Sequence, residues 1–242
     1  MFGQKEVPLF RFRQLNMFQT GNIHRLKILT GCITIQGIWS QANFGINKCW
    51  FSKKYLGRIY MERLLNGYRS FLKDVDLDVY TNLADGQKPH TFVISCSDSR
   101  IIPEDIFSAK PGELFVLRNV GNIARFEEPG VLSAIEYALL HLKVENVVIL
   151  SHSDCGAVKA LSDPDHLDTE GLKAWLSCEG YKGRDLEEAI KFHAIRQYAG
   201  FMDNDLVKRV RETRKLRVGL FYFHISSLRL ERFTGEKWDE VR

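Results

Sequence analysis

The sequence predicts an α/β fold in which a β-sheet with a parallel core is flanked by α-helices, with a helix before the sheet and further strands at the end. Two short apolar runs, 91–96 and 146–151, are typical of buried strands, and helical patterns lie between and after them. Strands that alternate with helices and are apolar almost throughout indicate a parallel sheet covered on both faces. In such sheets, ligand sites form beyond the carboxyl ends of the strands.

The first part of the chain differs in composition from the rest. Residues 1–60 contain nine Lys or Arg and a single acid, Glu6, so that the remainder carries a net negative charge although the whole chain is +4. We predict a basic N-terminal extension over 1–55 and a single folded domain over 56–242. Three interpretations of the extension stay open: a transit peptide, a basic arm that orders on a partner, or a start codon placed too early, with translation beginning at Met61.

Apolar spacing predicts the elements of the domain one after another. The spacing of apolar residues favours a helix from about Tyr60 to Leu83. Pro103, followed by two acidic residues, favours the start of another helix. Residues 162–185 are polar and are predicted to form a loop. The other predicted elements are strands over 91–96, 114–117, 146–151, 218–225 and 228–233, and helices over 129–142, from Gly156 onward, and over 186–214 as one or two segments.

Composition excludes several classes of protein. No apolar stretch is long enough to span a bilayer, and the domain has no cluster of basic residues, so we expect neither a membrane nor a nucleic-acid partner. Five cysteines form an odd set without the spacing of a disulfide framework. This favours a reducing compartment, with some cysteines serving metal binding or catalysis, and we predict a cytoplasmic location, with organellar targeting by the basic segment left open.

Three potential metal ligands follow the two apolar runs. Cys96 ends the first run, and His152 and Cys155 follow the second at a turn into a helix. Thiolates and imidazoles are ligands of zinc, and a site with three protein ligands is typical of catalytic rather than structural zinc. We therefore predict that the two strand ends meet and bind one zinc ion per chain, with zinc favoured over iron or cobalt by ligand type.

Each of these residues also has an ordinary interpretation. A single Cys at the end of an apolar strand is usually a buried core residue, and a single loop His usually bonds to backbone. The Cys-x3-Arg spacing of 96–100 is too short for the phosphate loop of a phosphatase. Asp98 and Arg100 would share one side with Cys96 if the chain stays extended. The remaining cysteines and histidines have no partner motif. The cysteines are interpreted as structural or incidental, and they are Cys32, Cys49 and Cys178. The histidines are interpreted as non-functional, and they are His90, His141, His166, His193 and His224.

Four motifs together resemble the β-class carbonic anhydrases in order and spacing. They are Cys-Ser-Asp-Ser-Arg at 96–100, Pro-Gly-Glu-Leu-Phe-Val at 111–116, Arg-Asn-Val-Gly-Asn at 118–122 and His-Ser-Asp-Cys-Gly-Ala at 152–157. The resemblance extends over about 60–235 and fails over 1–55, which favours the early-start interpretation. Gln87 and the 118–122 loop resemble the plant-type branch. Two departures are Ser151, where the family usually has Gly, and a last strand without the usual Trp and Asp.

The resemblance implies a function and a set of roles. It implies reversible hydration of carbon dioxide to bicarbonate and a proton, with zinc-bound hydroxide as the nucleophile. Cys96, His152 and Cys155 would bind the zinc, and Asp98 and Arg100 would form a catalytic dyad. The implied lining of the substrate pocket is Gln87, Phe115, Val120, Tyr137 and Gly156.

The family also implies a homodimer or homotetramer in which Gln87 reaches a neighbour's pocket. Two alternatives remain open. One is a hydrolase of carbonyl sulfide or carbon disulfide on the same scaffold, which would have identical ligands. The other is a non-catalytic, zinc-stabilised assembly protein. An intact Asp98–Arg100 pair argues against the second alternative, because a structural site needs no group that accepts a hydrogen bond from water.

Overall fold

The computed structural model describes residues 27–29, 32–34, 48–163, 167–176 and 181–242, with side chains from residue 59 onward. The chain forms two compact units, Met1–Lys73 and Asp74–Arg242. The described elements of the first unit are the antiparallel strands β1 (Lys27–Leu29) and β2 (Cys32–Thr34) and almost all of helix α1 (Lys48–Asp74). The predicted extension over 1–55 lies largely outside the described residues, as do the side chains of Cys32 and Cys49, and Cys178 and His166.

The prediction of one helix from Tyr60 to Leu83 was wrong, because the structure has two. Helix α1 begins at Lys48 and ends at Asp74, and α2 (Leu77–Leu83) follows. Asp76 separates them: its side chain accepts a hydrogen bond of 3.1 Å from the backbone N–H of Asp78 and caps α2. An aspartate in this position satisfies a free N–H at the start of a helix and so favours a new start over continuation.

The second unit is built on a six-stranded sheet with the order β4-β3-β5-β6-β7-β8. The first four strands in this order are parallel and the last two pairings are antiparallel. The parallel core was predicted correctly, and the last strand was missed. The strands are β3 (Thr91–Cys96), β4 (Leu114–Asn119), β5 (Asn146–His152), β6 (Arg217–Phe223), β7 (Leu230–Phe233) and β8 (Trp238–Glu240).

The helices of this unit agree with the predicted pattern in most places. The predicted helix over 129–142 is an α-helix that ends in a π-helical turn (Tyr137–His141), and the region 186–214 divides into two helices at Asn204. The α-helices that follow β3 in the described residues are α3 (Pro103–Ile106), α4 (Pro129–Glu136), α5 (Gly156–Ser162), α6 (Glu170–Trp175), α7 (Leu186–Asp203) and α8 (Asp205–Thr213).

The predicted loop over 162–185 was also wrong, because Glu170–Trp175 forms α6. Its Trp175 donates a hydrogen bond of 2.6 Å from Nε1 to the backbone oxygen of Val120, and Leu176 and Tyr181 beyond it are buried. These tertiary contacts stabilise a helix that the polar composition of the segment did not indicate.

The core lies on the faces of the parallel strands. All six residues of β3 are buried, as the unbroken apolar run predicted. Neighbouring strands are in register at their carboxyl ends: Ser95 is paired with Leu150, and Cys96 with Asn119. The ends of β3, β4 and β5 therefore meet at one edge of the sheet. None of the helices in the described part of the chain has both the length and the apolar character that a bilayer span requires.

Candidate metal centre

Three buried side chains meet at this edge of the sheet. Sulfur atoms of Cys96 and Cys155 and a ring nitrogen of His152 all lie within 4.8 Å of one another, and the two Sγ atoms are 4.0 Å apart. The residues are between 1% and 5% exposed. Cys96 is the last residue of β3, His152 is the last of β5, and Cys155 immediately precedes α5. The structure thus brings together the three residues that the sequence predicted to meet.

The orientation of His152 suits a metal ligand. Its Nδ1 lies 2.9 Å from the backbone oxygen of Ser153. A carbonyl oxygen only accepts hydrogen bonds, so Nδ1 carries the proton and Nε2 has a free lone pair. Nε2 is buried and has no hydrogen-bond partner. A ligating histidine whose other ring N–H donates to a backbone carbonyl is the usual arrangement in metal sites, and this buried unpaired atom is what a bound ion would satisfy.

The two cysteines form a coupled acid pair. A hydrogen bond from Cys155 lowers the pKa of Cys96, and backbone N–H groups of Asp98 and Gly121 lower it further. The same hydrogen bond and burial raise the pKa of Cys155, against which the N–H groups of Ala157 and Val158 act. One proton is therefore held between the two sulfurs, and a dication that binds both thiolates must displace it. Two thiolates and a neutral imidazole would balance the charge of Zn²⁺.

Asp98 and Arg100 form a bidentate pair beside the cluster. Arg100 donates to Asp98 from Nε at 2.9 Å and from Nη2 at 2.7 Å, and its backbone N–H donates to the same carboxylate at 3.0 Å. These hydrogen bonds hold the pKa of Asp98 well below its usual range. The Asp98 side chain is 15% exposed, whereas that of Arg100 is 43% exposed. The carboxylate is therefore ionised at neutral pH and can only accept hydrogen bonds.

Arg118 fixes the backbone between the cluster and the pair. Its Nε donates to the carbonyl oxygen of Cys96 at 3.2 Å, and its Nη2 donates to that of Asp98 at 2.8 Å. Arg118 was given no role of its own in the sequence analysis, although it opens one of the four motifs. Its position in that motif is a signal that could have identified it.

The predicted pocket residues fall into two groups. Val120 directly follows Asn119, the residue of β4 that is paired with Cys96, and Gly156 directly follows Cys155, so each lies beside a proposed ligand. Phe115 is paired with Phe92 of β3. Phe92 comes four residues before Cys96, a separation of roughly 13 Å along the strand. The ring of Phe115 packs on that of Tyr137 at 5.7 Å, away from the cluster. Gln87 is exposed before the start of β3.

Two residues that support the site were not predicted from the sequence. Asp154, in the turn between the ligands of β5 and α5, binds Arg100. His193, which the sequence predicted to be non-functional, donates from Nε2 to the backbone oxygen of Gly121 at 2.6 Å, while its Nδ1 accepts from the hydroxyl of Tyr181 at 2.8 Å. Asp154 stands inside a quoted motif and could have been singled out, but no sequence signal marks His193.

The fold and the site together define a class of protein. A parallel sheet with two thiols and an imidazole at its carboxyl edge, next to an ionised carboxylate held by an arginine, is typical of an α/β enzyme with a catalytic metal. In comparisons with known proteins, the family model described as "Carbonic anhydrase" matches residues 91–229.

Curated relatives bear the same name. The carbonic anhydrase of Pseudomonas aeruginosa is 31% identical over 194 residues, which is 72% of this chain and 88% of the relative. A carbonic anhydrase of Helicobacter pylori is 45% identical over 85 residues, which is 33% of this chain and 38% of the relative. Among solved structures, the β-carbonic anhydrase CcaA is similar, with a TM-score of 0.68 and 26% identity over 76% of this chain and 92% of that chain.

A further similar structure, of a tetrameric β-carbonic anhydrase from Sordaria macrospora, has a TM-score of 0.61 at 24% identity and covers 78% of this chain and 100% of that chain, which supports the fold. The chain therefore belongs to the β-carbonic anhydrase family and is a carbonic anhydrase. Enzymes of this family use zinc, and the Cys96–His152–Cys155 cluster can hold a metal ion.

Proposed function

We propose that the protein catalyses the reversible hydration of carbon dioxide to bicarbonate and a proton, at a zinc ion bound by Cys96, His152 and Cys155. The observation that carries this proposal is the Asp98–Arg100 pair beside the three ligands. A zinc ion bound there supplies Lewis-acid activation of a water molecule. A purely structural site would have no use for an ionised, hydrogen-bond-accepting carboxylate at its edge.

In this proposal Asp98 orients the attacking water. Because its carboxylate is ionised, it accepts a hydrogen bond from the nucleophilic oxygen and leaves a lone pair of that oxygen directed at the carbon of the substrate. Arg100 holds Asp98 through two parallel N–H···O bonds, a geometry that fixes the plane of the carboxylate. If Arg100 were lost, Asp98 could turn towards the ligands and block the position of the water.

The positions of the predicted pocket residues support the proposal that the protein is an oligomer. Phe115 and Tyr137 pack on each other far along the strand from Cys96, and the Tyr137 side chain is 44% exposed. We propose that a second copy of the chain supplies such aromatic groups and Gln87 to the pocket, as a homodimer or homotetramer. A pocket with apolar walls suits an uncharged substrate. Sedimentation equilibrium checks the mass, and a monomer that is fully active would contradict this part of the proposal.

Two finer assignments are part of the proposal. Gln87 and the Arg118–Asn122 loop support the plant-type branch. The odd number of cysteines and the buried thiol pair support a reducing compartment such as the cytoplasm.

The decisive experiment is stopped-flow hydration of carbon dioxide by protein of known zinc content, across pH 6.5–9, next to Asp98→Asn. We expect about one zinc per chain in both proteins, activity that rises from neutral to alkaline pH in the wild type, and a loss of orders of magnitude in the variant. An active Asp98→Asn enzyme would contradict the role of Asp98. Full zinc without hydration at any pH would favour carbonyl sulfide or carbon disulfide as substrate and, if these also fail, the assembly protein.

A further inference from the structure

The guanidinium of Arg100 lies between two carboxylates, only one of which belongs to the proposed dyad. On one side it binds Asp98 through Nε and Nη2. On the other side Nη1 donates to Oδ2 of Asp154 at 3.0 Å, and Nη2 donates to the backbone oxygen of Asp154 at 3.1 Å. Four of the five N–H groups of the side chain are therefore engaged, and the two partners are 56 residues apart in sequence.

Asp154 is itself held in place. Its backbone has a φ of 60°, a conformation that Asp adopts more readily than most residues. Its second carboxylate oxygen, Oδ1, contacts Nζ of Lys159, which lies in α5. Each oxygen of the carboxylate thus has its own cation, and these contacts, with that from Lys159 first, lower the pKa of Asp154. The carboxylate is ionised and directed at Arg100.

We propose that Asp154 is a positioning residue that acts through Arg100 on Asp98, an inference that rests on the proposed function of the dyad. Asp98 and Arg100 belong to the segment after β3, whereas Asp154 lies between two of the metal ligands after β5. The contact therefore ties the dyad to the turn that carries the ligands. In this proposal Asp154 acts through Arg100 and contacts neither the substrate nor the attacking water.

Arg100 needs a second partner because its side chain is exposed to solvent. The Arg100 side chain is 43% exposed, so that a pair with Asp98 alone would exchange with water. A guanidinium bound at both edges of its plane has less freedom to rotate, and the carboxylate it holds keeps one orientation. Loss of the Asp154 charge should loosen Asp98 and slow the chemical step while leaving substrate binding unchanged.

The test compares Asp154→Asn with the wild-type zinc enzyme. Asn tolerates the positive φ and keeps the shape of the side chain but removes its charge. We expect kcat to fall by roughly three- to tenfold with KM within a factor of two, at unchanged zinc content. Asp154→Gly, which removes the side chain without backbone strain, should lower kcat further. Lys159→Ala should have a smaller effect in the same direction, and none when Asp154 is already Asn.

The matched control is Asp203→Asn, which removes another exposed ion pair, with Lys208, away from the site. It should leave kcat unchanged. A second readout is independent of turnover, namely hydrogen exchange of the Arg100 Nε–H in protein labelled with ¹⁵N-arginine. The signal of this group is assigned by its absence in Arg100→Lys. Its exchange should be faster in Asp154→Asn and unchanged in Asp203→Asn.

The outcomes separate this inference from the proposed function. A wild-type protein without hydration activity would overturn the function, and faster exchange in Asp154→Asn would then still support the positioning of Arg100. An active wild type with unchanged kcat and unchanged exchange in both Asp154 variants would overturn the positioning role. A rise in KM equal to the fall in kcat/KM would also overturn it, because it would place Asp154 in substrate binding.

Discussion

The imidazole of His193 donates a hydrogen bond of 2.6 Å to the backbone oxygen of Gly121, and this contact joins the middle of α7 to the loop that follows β4. The same glycine directs its N–H at the sulfur of Cys96. His193 is 1% exposed and accepts from Tyr181 at its other nitrogen, so its tautomer is fixed. A helix outside the site thus positions a donor to one of the proposed ligands.

Replacement of Gly121 tests this loop. Its φ is 86°, and a Cβ at this position would lie 3.0 Å from the Cβ of Ala157. We expect Gly121→Ala to lower the free energy of unfolding by about 1–3 kcal/mol and to reduce zinc content, because the N–H directed at Cys96 would shift. Chemical denaturation and metal analysis measure both.

Gly130→Ala is the matched control for that variant. Gly130 lies in α4, and a Cβ at this position would meet no other side chain within 4 Å beyond its two chain neighbours. Alanine there should be neutral or stabilising by up to about 1 kcal/mol. Equal destabilisation by the two substitutions would show that the conformation of Gly121 is not the cause.

Burial of His193 makes stability depend on pH. Removal from water, the largest cause, lowers the pKa of His193 to about 4 from its ordinary 6.5. As the pH falls, the unfolded chain therefore takes up this proton at a higher pH than the folded chain does. The contribution of neutral, buried His193 to stability is complete above pH 6.5 and is lost as the pH falls to 4. The change amounts to about 3 kcal/mol.

His193→Gln should accordingly flatten the dependence of unfolding free energy on pH between 6.5 and 4. The measurement is urea denaturation of the variant and the wild type at several values from pH 4 to 8. The difference between the two proteins should be constant above pH 7 and shrink as the pH falls. A difference that does not vary with pH would contradict a neutral, buried His193.

The proposed ligand set predicts the outcome of metal analysis. Cys155→Ser should bring zinc well below one per chain, because serine offers a neutral hydroxyl in place of a thiolate. Cys178→Ser should retain full zinc, since Cys178 has no partner at ligand spacing in the sequence. Zinc at one per chain in Cys155→Ser would remove this residue from the ligand set.

The geometry of the dyad predicts that lysine cannot replace Arg100. Lysine keeps the positive charge but cannot form two parallel hydrogen bonds to Asp98. We expect Arg100→Lys to retain zinc and to lower kcat by about tenfold or more. Arg217→Lys, at the opposite end of the parallel strands and paired with Glu145, should leave kcat unchanged. Equal activity of the two variants would argue against the bidentate pair.

Local sequence patterns were enough to predict the parallel core and the meeting of Cys96, His152 and Cys155. Apolar runs define the strands, and the strands of a parallel sheet end at the same edge. The alternation of strands with helices indicated the order of elements without knowledge of their packing. The resemblance of four short motifs then indicated the family, which the comparisons confirmed.

The contacts through which other groups support these residues could be identified only in the folded chain. The contact of His193 with Gly121 joins positions 72 residues apart, and that of Arg100 with Asp154 joins positions 54 apart. Helix α6 forms in a polar segment because Trp175 bonds to the loop at Val120. Such contacts depend on how the helices pack on the sheet, and no local sequence pattern encodes that packing. If the helices packed differently, the same side chains would be ordinary surface or core residues.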